Sequence, residues 1–562
     1  MKNTEILRRK GLSEEQISEL EEVCLDTRKI LEEHGALRTD AEMGDAFETF
    51  TRADEIFETL KANEKLKRRM HAISPIEGRY DRYVEGLHDL TSEFEWNRRR
   101  VMVEVEYLID LVYELNCNYE GTQNPVVHGA FSGEVKERLR SLYKKFSEDD
   151  FRRIQLLDRK INHDIVAMTT WIAYEMGDSM ACLADEVEAA LHFARTSEDI
   201  NINVYNLIVK DMIKEYYLPA VVKFQEDLIS RIRSWADAVF AGQTHGQYAE
   251  YTTLRKVFAN FVSAIDQTLK NFLTPDGKAI NLPGKLGGAV GNENDIAAAY
   301  PGGYPDRLWL DFNKEFVEKT LGLEYAEMCD QPEFNIKNQE IYENIRRTNN
   351  VLMKVCSDFW TYCSRGLFRK KTGKGESGSS VMAQKANPWL SEGAEEYFIE
   401  ANEAFLGFER LIKYRMQGDL RRSTQMRGIG EPFAKTIIAI KRLGEELNKY
   451  EPNYDSIKQE VDSHPEMSAA AVQTVLRREG IPEAYDILKD MTMGKPVQRD
   501  DYIKLADRLL ADGKISEEVK KDIVRVVTPG HNIGYAPYLA DRAVSNAVHT
   551  LESLKGAYRI VK

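Results

Sequence analysis

Between about residues 88 and 235, apolar residues return every three or four positions, and runs that alternate apolar with polar are few. Apolar residues on a 3.6-residue period share one face only when the backbone is α-helical, so this stretch predicts a succession of helices. The same period returns from 340 to 368, where Ile345, Leu352, Val355, Phe359 and Cys363 fall on one face, and again in Phe405, Phe408, Leu411 and Ile412. Stripes of this kind bury themselves against one another in a helical bundle. Residues 1 to about 70 carry shorter stripes, first Ile17, Leu20, Val23 and Leu31 and then Phe47, Ile56, Phe57 and Leu60, and read as several amphipathic helices. After about residue 450, Pro452, Pro465, Pro482, Pro496 and Pro529 cut the pattern into shorter helices, which predicts a smaller C-terminal helical domain.

Composition narrows the class of function. A chain of 562 residues with 43% hydrophobic content can bury a large core spread over two to four domains. Acidic residues outnumber basic ones, 92 against 77, which argues against a general nucleic-acid binder and requires a local basic pocket for any anionic substrate. The six cysteines are scattered, without Cys-x-x-Cys spacing, as expected for reduced thiols in a cytoplasm and not for structural zinc. Met1-Lys2-Asn3-Thr4-Glu5 opens no apolar signal region and no apolar run reaches a membrane span, so a soluble, cytoplasmic protein is expected.

The densest chemistry lies in Gly378-Ser379-Ser380-Val381-Met382-Ala383-Gln384-Lys385-Ala386-Asn387-Pro388. Glycine and serine let a backbone come close to a ligand, and a lysine with an asparagine can hold a carboxylate. By itself the stretch also serves as a polar linker between helices. Other elements carry a similar double reading. Ser74-Pro75-Ile76-Glu77-Gly78-Arg79-Tyr80 is a turn that presents an arginine, whose planar fork suits phosphate. Asn162-His163-Asp164 sets a histidine between an amide and a carboxylate. Thr196-Ser197-Glu198-Asp199-Ile200-Asn201 suits a helix start, where free N–H groups also bind anions. Thr244-His245-Gly246-Gln247 gives a histidine room to reach a ligand and to exchange a proton near neutral pH. The glycine-rich run from Gly284 to Asn292 lacks the spacing of a phosphate-binding P-loop. Gln417 to Arg427 is a basic strip in an acidic protein.

The Gly378–Pro388 stretch resembles the signature loop of the fumarase/aspartase superfamily, Gly-Ser-Ser-x-Met-Pro-x-Lys-x-Asn-Pro, with Ala383 in place of the proline. The Ser-Pro-x-Glu-Gly-Arg-Tyr, Asn-His-Asp and Thr-Ser-Glu-Asp-Ile-Asn elements are similar to those of the adenylosuccinate lyase family within it, and the likeness runs from about 73 to 550. The resemblance implies an all-α, fumarase/aspartase-like fold: a long central helical bundle with smaller helical N- and C-terminal domains. It divides the chain into an added helical segment (1–72), an N-terminal domain (73–185), the bundle domain (186–449) and a C-terminal domain (450–562). It implies a homotetramer with shared active sites that cleaves adenylosuccinate, and SAICAR, to fumarate and AMP or AICAR without metal or organic cofactor. On this resemblance Ser379 is the base and His245 the acid, with Glu392 as the histidine's acidic partner. Arg79, Tyr80, Asn162, His163, Asp164, Thr196, Ser197, Gln331, Lys385, Asn387, Ser423 and Arg427 are substrate contacts. Three further positions depart from the pattern: Gln243 and Tyr248 replace an arginine and a proline beside His245, and Gly418 replaces an arginine in the phosphate strip, leaving Arg421 and Arg422 as candidates for the missing charge. Two other readings stay open, a lyase for another succinyl-amine and a non-catalytic scaffold. Against the scaffold stands the joint presence of Ser379, His245, Lys385 and Asn387.

Overall fold

The computed structural model describes residues 72–118, 125–179, 184–301, 308–371, 387–410 and 414–560. The stripes expected before residue 71, the loop residues Ser379, Ala383 and Lys385, the apolar pair Leu411 and Ile412, and Cys24 and Cys182 lie outside them. The principal elements in chain order are helices α1 (Glu93–Asn118), α2 (Gly133–Lys144), α3 (Glu148–Ile161), α4 (Asp164–Ser179), α5 (Ser197–Met212) and α6 (Leu218–Ser234). Strands β1 (Val239–Thr244) and β2 (Gln247–Thr253) and helix α7 (Leu254–Leu269) follow, then strands β3 (Pro283–Gly284) and β4 (Glu324–Tyr325) and helix α8 (Ile336–Ser364). The chain continues through β5 (Phe368–Lys370), α9 (Trp389–Glu409), α10 (Arg421–Met426), α11 (Gly430–Lys449) and β6 (Tyr450–Pro452), and its last helix is α12 (Ala536–Tyr558).

These elements sort into two units, one from Met1–Tyr216, Asn281–Tyr342 and Phe405–Ala434, the other from Tyr217–Ile280, Glu343–Ala404 and Lys435–Lys562. In the first, α1 packs against α2, α4 and α5. Enclosure on several sides explains why Val101, Val103, Val105, Tyr107 and Leu108 are all fully buried instead of forming a single stripe. It also buries charges, and these are paired, as burial requires. Glu104 meets His192 at 2.6 Å, and Glu106 receives Arg140 at 2.9 Å and the Tyr143 hydroxyl at 2.6 Å. Helix α3 starts at Ser147 with a reciprocal Asp150 cap and ends at Asn162, whose left-handed φ of 57° asparagine tolerates better than most residues.

In the second unit, α7 packs against α6 and α12. The face of α8 read from the sequence is buried at Ile345, Leu352, Val355 and Phe359, and Cys363 is half-buried. Beyond residue 450, short helices between Ala469 and Val526 close around a core of their own that includes Val472, Leu476, Leu488, Tyr502 and Ile523. The expected shortening stops there: α12 runs 23 residues. Its Pro537 sits in the first turn, where a missing N–H costs nothing, and Ala540, Val544, Ala547, Leu551 and Leu554 are buried. Among the described residues the strands form three two-stranded sheets. Among them also, Cys329, Cys356 and Cys363 are free thiols and no helix is long and apolar enough to cross a membrane.

Candidate active site

In the first unit, stretches far apart in sequence converge. Asp164, the first residue of α4, receives Arg427 at 2.7 Å and the fully buried Arg100 at 3.0 Å. Burial works to raise this carboxyl, yet the two guanidinium groups hold it below the ordinary carboxylate range. Arg427 also approaches Glu93 at 3.6 Å and lines a cleft of about 430 Å³ with Ser74, Ile76, Glu77, Leu87 and Thr91. The opening turn and the end of the basic strip therefore share one cleft. Arg79 is exposed and has no hydrogen bond or ion pair among the described residues. Asn162 and His163 are exposed, and the His163 ring nitrogen Nδ1 accepts the Val166 N–H at 3.4 Å. Ser423 is buried with its hydroxyl 2.9 Å from that of Tyr205, which burial pushes up to about 12.

Thr196 is the N-cap of α5, as its residue type predicts, and Ser197 is the first helical residue. Gln331 donates from Nε2 to Thr196 Oγ1 at 3.4 Å, and its backbone N–H donates to the Gln417 carbonyl at 3.0 Å. Three expected contact regions, at 196, 331 and 417–427, are thus joined within one unit.

The second unit holds His245, Asn387 and Glu392. His245 and Gly246 form the two-residue tip of the β1–β2 hairpin, with φ of 53° and 73°. Two positive φ values mark a type I′ turn, whose twist matches paired strands and which drives the side chain at its tip into solvent. His245 is exposed and has no hydrogen-bonding partner among the described residues. Glu392, exposed on the first turn of α9, accepts the Trp360 indole N–H at 2.9 Å. Asn387 is half-buried just before that helix.

A lyase family matches residues 115–396, and a family described as adenylosuccinate lyase C-terminal matches residues 414–531. The chain is 31% identical over 474 residues to adenylosuccinate lyase from Vibrio cholerae, covering 84% of this chain and 98% of that protein. It is 30% identical over 473 residues to adenylosuccinate lyase from Dictyostelium discoideum, covering 83% and 97%. The chain belongs to the adenylosuccinate lyase family. Solved structures show the same fold: a 3-carboxy-cis,cis-muconate lactonizing enzyme from Pseudomonas putida aligns with a TM-score of 0.61 at 16% identity, over 84% of this chain and 99% of that one. A fumarate lyase from Mesorhizobium aligns with a TM-score of 0.59 at 15% identity, over 82% and 97%.

The departures from the adenylosuccinate lyase family pattern now have physical surroundings. A Cβ at Gly418 would lie 2.5 Å from Gln331 Oε1, so no side chain fits there unless Gln331 moves. Neither neighbouring arginine stands free in its place. Arg421 is exposed and ion-paired with Asp419 at 2.6 Å, and Arg422 is buried, donating to the Glu333 carbonyl at 2.7 Å and to Asn335 Oδ1 at 2.6 Å. Beside His245, Gln243 receives Arg365 at 3.3 Å, and Tyr248 donates to Glu460 at 2.8 Å and stacks on His464 with ring centroids 3.5 Å apart.

Two features of this adenylosuccinate lyase family member escape sequence reasoning. Buried Glu446, on α11, accepts the N–H groups of Leu390 at 2.6 Å and Ser391 at 3.0 Å, and so fixes the start of α9. Nothing distinguishes Glu446 in the sequence from any charged residue of an amphipathic helix. The Gly284–Asn292 run is a structural clasp against α5: at Gly291, with φ of 78°, a Cβ would lie 1.9 Å from the Cys329 carbonyl oxygen. Among the described residues no group of three His, Cys, Asp or Glu side chains could hold a metal.

Proposed function

We propose that this chain cleaves the C–N bond of adenylosuccinate by β-elimination, releasing fumarate and leaving AMP, and acts in the same way on SAICAR to leave AICAR, as a step of purine nucleotide biosynthesis. The observation that carries the reading is the ion pair of Asp164 with Arg427, which draws the Asn-His-Asp element and the basic strip to one place in a chain with adenylosuccinate lyases among its relatives. A base takes the proton from the carbon next to a carboxylate, the electrons pass into that carboxylate, the C–N bond breaks, and an acid protonates the departing nitrogen. Ser379 takes the proton as alkoxide, stabilised by nearby positive charge. Lys385 and Asn387 hold the doubly charged carboxylate. His245 protonates the nitrogen, with Glu392 to orient it. Arg79, Tyr80, Asn162, His163, Asp164, Thr196, Ser197, Gln331, Ser423 and Arg427 hold the remainder of the substrate. No metal or organic cofactor takes part.

The assembly is a homotetramer in the cytoplasm, with each site built from several subunits. The exposed position of His245, which has no hydrogen-bonding partner among the described residues, and the engagement of Glu392 by Trp360 support a histidine that is completed by a neighbouring copy. The purified protein, mixed with adenylosuccinate, is expected to release fumarate and the His245→Ala variant to release none. A folded tetramer inert on adenylosuccinate overturns the assignment and moves the search to other succinyl-amines.

A further inference from the structure

Asp199 is fully buried in the first turn of α5, and its carboxylate is the meeting point of three parts of the first unit. Oδ1 lies 2.8 Å from the ammonium of Lys285, also fully buried, and accepts the Gly287 N–H at 2.9 Å. Oδ2 accepts the Gly288 N–H at 3.1 Å and the Thr196 N–H at 2.9 Å. One turn further along α5, Asn203 repeats the grip: Lys285 donates its N–H to Asn203 Oδ1 at 3.0 Å and accepts from Asn203 Nδ2 at 2.8 Å. The clasp is thus fastened to α5 at two points, and the first of them also fixes Thr196.

We propose that Asp199 is a positioning residue for adenylosuccinate: by holding the Thr196 N–H and the clasp with one carboxylate, it sets where Thr196, Ser197 and Gln331 meet the substrate. The inference rests on the function proposed above. A carboxylate offers acceptors on both oxygens, and four donors fill them; an amide of the same shape offers one oxygen and turns an NH₂ toward two of those donors. In Asp199→Asn the Thr196 N–H or the clasp must let go. The Thr196 hydroxyl then shifts, and with it the Gln331 amide that rests on it at 3.4 Å. Contacts of this kind hold substrate and transition state alike, so their loss appears in KM more than in kcat.

The test is a double-mutant cycle on the assembled enzyme, with fumarate release from adenylosuccinate as the readout. Asp199→Asn is expected to raise KM about tenfold or more with a smaller change in kcat, and Thr196→Ala to raise it similarly. Combined, the two are expected to cost little more than either alone. Asp199→Asn with Lys285→Gln, which removes both buried charges together, serves as the second variant and is expected to fold and keep the raised KM. An inactive wild type overturns the proposed function and this inference with it. An active wild type with an unchanged KM in Asp199→Asn, or with effects that multiply in the combined variant, overturns the inference alone. Failure of both Asp199 variants to fold also overturns it, since the carboxylate would then serve folding only.

Discussion

Helices α5 and α9 both begin at stretches marked in the sequence, and both open on a buried carboxylate, yet the two carboxylates are supplied in different ways. At α5 the acid is Asp199, the helix's own third residue, and a buried lysine neutralises it. At α9 it is Glu446, which reaches back 55 residues to Ser391, and among the described residues no cation bonds it. Burial raises the Glu446 carboxyl above the usual carboxylate range, and the two amides it accepts from offset this only in part. At α5 the carboxylate belongs to the helix it starts, and the clasp brings it a buried cation along with amide donors. At α9 the carboxylate is held by two amide N–H groups, with Lys449 and Lys370 acting on it only through space.

The comparison breaks first at Asp199. Replacement by alanine strands the Lys285 ammonium in the core and is expected to cost about 3–5 kcal/mol in urea unfolding, with Lys285→Met on top restoring much of it. Glu446→Ala strands two N–H groups and no charge, so about 1–3 kcal/mol is expected in the same measurement. Equal losses would show that the counter-charge at Asp199 adds nothing.

The sign of the pH dependence sharpens the contrast. Because folding raises the Glu446 carboxyl above its ordinary 4.5, the folded state binds the extra proton between that value and the raised one. Wild type should therefore lose stability relative to Glu446→Gln as pH rises through this window, and the gap should be flat on either side. Unfolding curves across mildly acidic pH read it directly, and a wild type that gains stability relative to Glu446→Gln on raising the pH would contradict the assignment. The smallest effect is expected at Trp360→Phe, which removes one hydrogen bond to the exposed Glu392 and should shift stability by about 0.5 kcal/mol or less.

The same contrast governs what could be read from the sequence. The buried face of α8 and the cap at Thr196 are local patterns, periodic in one case and contained within four residues in the other, and both were legible. Asp164 and Arg427 were legible one at a time; their pairing across 263 residues is a product of the fold. The β1–β2 hairpin has a faint signal in the His245-Gly246 pair, since glycine favours a positive φ, but a histidine is an uncommon companion in such a turn. Glu446 had no signal. Its role exists only because α9 begins beside it.

The long terminal helix α12 carries a consequence for synthesis. Helix α7 leaves the ribosome long before residues 536–558 are made, and α12, which packs along it, is the last helix among the described residues. At about 5–20 residues per second the apolar face of α7 waits tens of seconds for that partner. The second unit can be completed only once α12 has been made, so a nascent chain halted before Ala536 should draw chaperones.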